Sequence, residues 1–327
     1  MPESNLLFVA PAEAGQKLLR FLERRLQAPR PSIYHWLRTG QIRVNKGRVK
    51  AGHLLATGDE VRLPPQALNE IPQGDSLDNS AAHLQINPRE LLPGLRIIHQ
   101  DEYLLALNKP AGLPVQPGSK HVDSVSVRLR NSAGTSVFIP APAHRLDKQC
   151  AGLLVAGKTH LYQCYLHSLF AAEKPLLERE YLLWVKGILE LLPETKFVDF
   201  LTPKTNTGGT ERIKAVTSSD NAIASKAAAF YTTIKVLHDS PCGQATLLKA
   251  RLLTGRKHQI RVQCATRGHE IIGDVRYGGP FFRRMLLHSF RLHLPACPDF
   301  RGQSFPEYNL QSLPEWPAPF DVAWMGT

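Results

Sequence analysis

Apolar residues near the start of the chain first follow a helical spacing and then alternate as in a strand. Leucine recurs every three or four residues between residues 18 and 26, which predicts an amphipathic helix. A second helix is expected to begin near Ser32, a good N-cap, and to end at Gly40. Short strands are predicted after it at residues 41–45, 48–50 and 60–63. Together these elements predict a small α+β module over residues 1–65.

The rest of the chain is rich in short apolar runs separated by turns. Strands are predicted at residues 95–98, 103–107, 152–156, 181–185, 228–236 and 245–253. Helices are predicted at residues 159–172 and 258–266. Neither an internal repeat nor a strict alternation of strands and helices is present. We therefore expect an α+β domain over residues 93–327, built around a large mixed, mainly antiparallel sheet.

Between these two regions the composition changes. Residues 64–90 contain no aromatic residue and are interrupted by prolines, glycine and short polar runs. Such a segment cannot bury a hydrophobic core, so residues 66–92 are expected to be a flexible linker between the two domains.

The formal net charge of +12 is unevenly distributed along the chain. Residues 15–63 hold eleven Lys or Arg and three acidic residues, so +8 of the total lies there. A positive excess in a short segment indicates a surface for a polyanion, although a solvated basic face has the same composition.

Composition and the N-terminal residues argue against a membrane or secreted protein. The chain is 43% hydrophobic and 21% charged, which is typical of a globular protein. No run approaches the roughly 20 apolar residues of a membrane span, and no signal peptide precedes the first helix. The five cysteines lack the C-x2-C spacing of zinc ligands. We therefore expect a cytoplasmic protein with no disulfide, no metal and no membrane contact.

Three short polar blocks carry the candidate chemistry. Residues 143–148 (Ala-His-Arg-Leu-Asp-Lys) lead into an apolar strand, where a scaffold can hold a side chain rigidly. Arg256, Lys257 and His258 lie where a strand ends and a helix opens, a natural site for a phosphate or carboxylate. Residues 273–279 form a turn-rich loop. Taken singly, the blocks are more typical of a surface ion pair, a basic helix start and an ordinary loop.

Together, and in this order, the blocks resemble the motifs of the RNA pseudouridine synthases that modify large-subunit rRNA and some tRNAs. The chain has His-Arg-Leu-Asp at residues 144–147, followed by Gly-Leu-Leu at 152–154. It has Thr-Gly-Arg-x-His-Gln-Ile-Arg at 254–261 and Gly-Asp-x-x-Tyr-Gly at 273–278. An earlier signature of the family, Leu-Asn-Lys-Pro, occurs at 107–110. The resemblance spans nearly the whole chain and implies the fold of these enzymes.

The resemblance also implies a set of functional residues. The family's essential aspartate corresponds to Asp147, its active-site tyrosine to Tyr181, and the arginine that pairs with the aspartate to Arg261. Arg145 corresponds to an arginine that helps to displace the target base and occupies its place. Further residues expected to bind the substrate RNA are Lys109, Arg256 and His258.

The chain departs from the family pattern in three places. Cys150-Ala151 replaces a Thr-Ser pair, Glu180 stands where a Lys is usual, and Gln263 stands where a His is common. None of these departures removes a reacting group. They bear on which RNA is bound rather than on the chemistry.

Pseudouridine formation breaks the bond from uracil N1 to the ribose and joins uracil C5 to the same ribose carbon. Nothing is oxidised and nothing leaves, so the reaction requires neither a redox cofactor nor a metal. It needs a carboxylate that stays ionised in a closed pocket, where it either attacks covalently or abstracts a proton. Burial disfavours that charge and a guanidinium in contact favours it, so we expect Arg261 to keep Asp147 ionised and oriented.

Residues 32–45 and 58–61 resemble the RNA-binding domain first seen in ribosomal protein S4. That resemblance implies that two helices and the following turn hold an RNA backbone. The expected phosphate contacts are Arg30, Arg38, Arg43, Lys46 and Arg48. Contacts of this kind give affinity with little choice of sequence.

Within the family, the N-terminal domain and residues 144–147 are most similar to bacterial enzymes that modify several uridines of large-subunit (23S) rRNA. Residues 43–46 favour the C-type of these enzymes over the D-type. A tRNA-directed member and an RNA-binding protein that lost catalysis are the alternatives. A glycoside hydrolase fits less well, because it needs paired carboxylates flanking the bond. We expect RNA as the partner of a monomer.

Overall fold

The computed structural model describes residues 5–326 except residues 27, 69, 71–93, 118–122, 134–137, 173–175, 206–210 and 217–223. In that part of the chain the helices are α1 (Leu18–Arg25), α2 (Arg30–Thr39), α3 (Pro65–Leu68), α4 (Val125–Ser132), α5 (His160–Ala171) and α6 (Gln259–Thr266). The strands are β1 (Leu6–Phe8), β2 (Arg43–Val44), β3 (Glu60–Arg62), β4 (Arg96–Gln100), β5 (Leu104–Lys109), β6 (Ala141–Pro142), β7 (Ala151–Gly157), β8 (Glu178–Lys186), β9 (Thr195–Thr205), β10 (Glu211–Val216), β11 (Ser225–Leu237), β12 (Ala245–Leu252), β13 (Leu287–Leu294) and β14 (Tyr308–Gln311). Most of the linker expected at residues 66–92 lies outside the described residues.

The described strands from β4 onward form one sheet of eleven strands. Its order is β10-β9-β11-β12-β8-β13-β7-β5-β4, with β14 paired to β13 and β6 paired to β7. Strands β7 and β13 pair in parallel. Other adjacent strands of the sheet, such as β8 with β12 and β5 with β7, pair in the antiparallel direction. The expected α+β class with a large mixed, mainly antiparallel sheet is confirmed.

The central strands are buried on both faces, which is why their sequences are continuous apolar runs. In β8, Tyr181 and Leu183 pack on one face of the sheet, in the same cluster as Ile260 of α6. Leu182 and Trp184 pack on the opposite face. The face covered by α6 is therefore also the face to which Tyr181 points.

The N-terminal residues form a separate three-stranded sheet, in the order β1-β3-β2, with its own hydrophobic core. Helix α2 begins at Arg30, before the expected Ser32, because proline favours the first helical turn. It ends at Gly40, whose φ of 72° is left-handed and suits glycine. The core also includes Ala67 of α3, beyond the expected boundary at residue 65.

The returning strand expected at residues 48–50 does not form. The segment that follows runs across the start of α1, where the N–H groups of Leu18 and Leu19 donate to the carbonyls of His53 and Ala51 at 2.8 and 3.1 Å. The first N–H groups of a helix have no partner within the helix. The segment satisfies these groups instead of extending the small sheet.

The sequence did not predict β1, α4, β9, β10, β13 or β14. Strand β9 exposes Val198 and buries Thr202, so its side chains do not alternate cleanly between apolar and polar. Strand β13 buries His288 and Ser289 among its apolar residues. Tertiary packing, rather than local pattern, forms these strands.

Strands β7 and β13 approach each other closely at Gly152. A Cβ at this position would lie 2.2 Å from the carbonyl oxygen and 2.6 Å from the nitrogen of Ser289, and the φ of Gly152 is +106°. Only glycine fits both the space and the backbone conformation. This close approach fixes the point at which the chain enters β7, five residues after Asp147.

We expect Gly152→Ala to lower the free energy of unfolding by about 2–5 kcal/mol, from roughly 1–2 kcal/mol for the positive φ and roughly 1–3 kcal/mol for overpacking. Gly243→Ala is the matched control, because Gly243 has φ +79° and no atom within 4 Å of its Cβ position. Urea denaturation measures both variants. Equal destabilisation of the two would contradict a steric requirement at Gly152.

Candidate active site

Three elements that are distant in sequence meet around one cavity of about 410 Å³. The connection from β6 to β7 contributes Asp147, strand β8 contributes Tyr181, and helix α6 contributes Arg261. The three residues expected to act on the nucleoside therefore line the same space.

Arg261 bridges two carboxylates. Its Nε and Nη2 donate to Oδ2 and Oδ1 of Asp274 at 2.7 and 2.8 Å, and its Nη1 donates to Oδ2 of Asp147 at 3.0 Å. Arg261 is 6% exposed and Asp274 is 3% exposed. Burial lowers the pKa of Arg261, but the two carboxylates, Asp274 foremost, raise it overall, so the guanidinium stays charged.

Asp274 is a buried partner of Arg261 that the sequence did not single out. Its Gly-Asp pair belongs to a motif, yet nothing in a turn-rich loop indicates that the acid points inward. In the structure its two oxygens set the plane of the Arg261 guanidinium and leave one N–H directed at Asp147. A bidentate pair of this kind fixes direction as well as charge.

His258 lies beside the same carboxylate without bonding to it. Its Nε2 is 3.8 Å from Oδ2 of Asp147, and its Nδ1 is 2.8 Å from the hydroxyl of Tyr277. A φ of 56° just before α6 sets the direction of the side chain. Burial lowers the pKa of His258 to about 4, against the opposing effect of Asp147. The His258 ring is therefore neutral at pH 7 in the protein without RNA.

Tyr181 offers an aromatic ring to the cavity. The residue is 8% exposed, and burial raises the pKa of its hydroxyl. The side chain is thus a neutral phenol. Its ring can stack on a base, and its hydroxyl can accept or pass on a proton.

Two arginines on the rim of the cavity are exposed to solvent. Arg145 precedes Asp147 by two residues, and Arg256 lies in the loop before α6. The Nε of Arg256 donates to the carbonyl oxygen of Lys226 at 3.2 Å. Both side chains are within reach of a ligand in the cavity, where RNA contacts were expected.

The structure corrects the expectation that Lys109 contacts RNA. The residue is 0% exposed, and its Nζ donates to the carbonyl oxygens of Pro110, Leu113 and Lys148 at 2.9, 2.8 and 3.2 Å. All three ammonium protons are used inside the protein, so Lys109 does not face RNA. Burial lowers the pKa of Lys109 to about 8. The side chain ties the residue after Asp147 to the end of β5.

The three departures from the family pattern have different surroundings. Cys150 is 2% exposed, belongs to the core of the sheet and lines the cavity. Glu180 faces away from the cavity, towards Lys249 and Arg291 on the neighbouring strands at 3.3 and 3.4 Å. Gln263 of α6 is fully buried and forms hydrogen bonds with Tyr231 of β11 and Asp199 of β9. Neither Glu180 nor Gln263 lines the cavity.

The basic residues expected to hold an RNA backbone lie on the N-terminal module and do not line this cavity. Those that are exposed around the end of α2 and the following turn are Arg38, Lys46 and Arg48. Arg30 pairs with Glu23 at 2.8 Å. The Nε of Arg43 donates to the carbonyl of Gly40 at 3.2 Å. Arg30 and Arg43 are thus partly engaged within the module.

Within the ranges that the structure describes, no group of three His, Cys, Asp or Glu side chains could hold a metal ion. No helix in those ranges has the length and apolar character needed to cross a membrane. The five cysteines are free thiols.

Comparison with known proteins relates both the motifs and the fold to one family. Residues 103–266 match the family described as RNA pseudouridylate synthase. The chain is 33% identical over 303 residues to ribosomal large subunit pseudouridine synthase C of Yersinia pestis, covering 90% of this chain and 87% of that protein. It is 32% identical over 286 residues to the protein of the same name from Salmonella typhi, covering 87% and 83%. Human RNA pseudouridylate synthase domain containing 1 has a TM-score of 0.52 at 20% identity, covering 68% of this chain and 85% of that chain, a likeness of fold alone.

Proposed function

The chain belongs to the RNA pseudouridylate synthase family, and from this premise we propose that it converts specific uridines of large-subunit (23S) rRNA to pseudouridine. The names of its bacterial relatives support this target. The net charge of +12 suits an RNA partner. We expect it to act as a monomer in the cytoplasm.

One observation carries the proposed mechanism: the hydrogen bond of 3.0 Å from Nη1 of Arg261 to Oδ2 of Asp147. The Asp147 side chain is only 18% exposed, and such burial disfavours a charge unless a partner offsets it. Arg261 is that partner. The ionised carboxylate acts on the nucleoside while the N1 bond to the ribose breaks and the C5 bond forms. In the product, C5 has lost a proton and N1 has gained one.

The target uridine leaves its stack to enter the cavity, which costs a few kcal/mol. Stacking on an aromatic ring returns roughly 1–3 kcal/mol per base, and Tyr181 is the ring placed to supply it. The exposed Arg145 fills the space that the base leaves in the RNA. These roles use an uncharged ring against the flipped base and a cation in the place that the base has left.

The N-terminal module is proposed to be an S4-like RNA-binding domain. Its support is a separate core, two helices and exposed cations around the end of α2. Such cations would hold the RNA near the cavity without reading its bases.

Asp147→Asn preserves the shape of the side chain and removes its charge. We expect turnover to fall by roughly 10²–10⁴-fold or more, the range in which a positioned acid or base contributes. The assay is tritium release from a 23S rRNA transcript carrying uridine tritiated at C5, with tRNA transcripts as the alternative substrate. Asp199→Asn is the control, because Asp199 pairs with Arg267, the residue directly after α6, at 3.0 Å outside the cavity.

Full turnover by Asp147→Asn would exclude the proposed mechanism. If the wild-type protein bound RNA but released no tritium, an RNA-binding protein without catalysis would replace the proposal. Release from tRNA alone would move the target to the tRNA-directed class.

Asp274→Asn tests whether the buried acid orients Arg261. Loss of one charge-assisted bond allows the guanidinium to turn, and small displacements of a catalytic group cost about 10²-fold in rate. We expect kcat to fall by about that factor while the KM for RNA changes little, since Asp274 does not line the cavity. Thermal melting checks the fold, and Asp199→Asn again serves as the control. A raised KM with an unchanged kcat would contradict a positioning role.

Replacing Arg38 and Arg48 together by Ala tests the N-terminal module. We expect a higher KM for RNA, an unchanged kcat, and a salt slope of binding that falls by roughly 0.7–0.9 for each phosphate that the protein no longer neutralises. Arg20→Ala is the control, because Arg20 is an exposed cation of α1 that is not among the residues expected to bind RNA. Equal effects of both changes would indicate a general charge effect rather than a defined surface.

A further inference from the structure

Arg179 lies in the cavity next to Tyr181 and has no part in the chemistry proposed above. The two residues are two positions apart on β8, so their side chains point to the same face, about 7 Å apart along the strand. Arg179 lines the same cavity as Asp147. Its Cζ is 5.9 Å from the centre of the Phe170 ring.

Arg179 is partly buried, and one of its donor atoms lacks the partner that a shielded donor requires. Its Nε is shielded from solvent and has no hydrogen-bond partner among the described residues. Burial lowers the pKa of Arg179, and no carboxylate in the described ranges is near enough to oppose that effect. Buried donors on charged groups are almost always paired. An unpaired one in a cavity indicates that the partner is a ligand.

The neighbours of Arg179 are neutral. A Cβ on Gly255 would lie 2.7 Å from Nη1 of Arg179, so the guanidinium occupies the space next to the backbone of the loop before α6. The ring of His144 stacks on Phe170 with centroids 4.4 Å apart. Burial, and then the charge of Arg179, lower the pKa of His144 to about 3. This corner of the cavity thus carries a positive charge that its neighbours do not offset.

We propose that Arg179 binds a backbone phosphate of the RNA strand that carries the target uridine. A phosphate is anionic, matches the planar fork of a guanidinium, and can accept from the free Nε. The carbonyl oxygens of a uracil are neutral and offset a buried charge less completely. Because Arg179 is one side-chain spacing along β8 from Tyr181, a nucleotide stacked on Tyr181 brings its own phosphate within reach. The inference rests on the proposed function and adds a phosphate-binding residue to it.

The test compares the wild-type protein with Arg179→Met and Arg179→Lys. Binding to an RNA hairpin containing a uridine that the tritium assay identifies is measured by filter binding over a range of KCl concentrations. We expect Arg179→Met to reduce the slope of log K against log salt by roughly 0.7–0.9, the value for a single phosphate. Arg179→Lys should retain the slope and bind somewhat more weakly, since lysine keeps the charge without the fork.

Arg291→Met is the matched control. Arg291 is an arginine on the adjacent strand β13, and it pairs with Glu180, which faces away from the cavity. Its replacement should leave the salt slope unchanged. Circular dichroism and thermal melting of each variant separate weaker RNA binding from unfolding.

A second experiment identifies which phosphate of the RNA contacts Arg179. Neutral methylphosphonates replace, one at a time, the phosphates on either side of the target uridine. One of them should weaken binding by the wild-type protein and leave binding by Arg179→Met unaffected.

An unchanged salt slope in Arg179→Met, or equal weakening of both proteins by each methylphosphonate, would overturn the inference. If Arg179→Met left the salt slope unchanged but shifted the alkaline limb of the pH–rate profile, Arg179 would act on the ionisation of the Tyr181 hydroxyl instead. If the wild-type protein modified no RNA, the proposed function would fail. The salt slopes of binding to a uridine-containing hairpin would still show whether Arg179 binds a phosphate.

Discussion

Arg261 holds two carboxylates at once, and the charge of the cavity depends on that arrangement. Asp274 is almost completely buried and occupies two N–H groups of the guanidinium, which leaves a third directed at Asp147. Removal of one member of a buried ion pair leaves the other charge uncompensated, so we expect loss of Arg261 to lower stability as well as the proposed activity. Asp274 is therefore the more informative residue to alter, because its amide analogue keeps a hydrogen-bond acceptor for Arg261.

The segment that carries Asp147 is fixed at its C-terminal side. Lys109 donates to the carbonyl of Lys148, the residue directly after Asp147, and the close approach of Gly152 to β13 sets the start of β7. The neighbouring Arg145 is exposed. The same short segment thus combines a rigidly placed carboxylate with a side chain that is free to follow the RNA.

Local patterns predicted the elements that are apolar on both faces, such as residues 181–185 of β8, and the helices α1, α5 and α6. Strand β9 was missed because it exposes Val198. The motif resemblance, rather than periodicity, indicated Asp147, Tyr181 and Arg261. Neither source predicted the burial of Lys109 or Asp274, because the partners of each come from segments that only the folded chain brings together. From sequence alone, a charged residue is expected to be exposed to solvent, because its partners in the folded chain are not known.

The balance of energies suggests how such a cavity selects its target. Removing a uridine from its stack costs a few kcal/mol, and one aromatic ring returns roughly 1–3 kcal/mol. In the proposed mechanism Tyr181 alone leaves little surplus, so the exposed cations of the N-terminal module would supply the rest. Those cations would bind phosphates, which carry no base information. Discrimination among uridines then depends on how easily each site deforms, which favours loops and bulges, where bases are already unstacked, over regular helices.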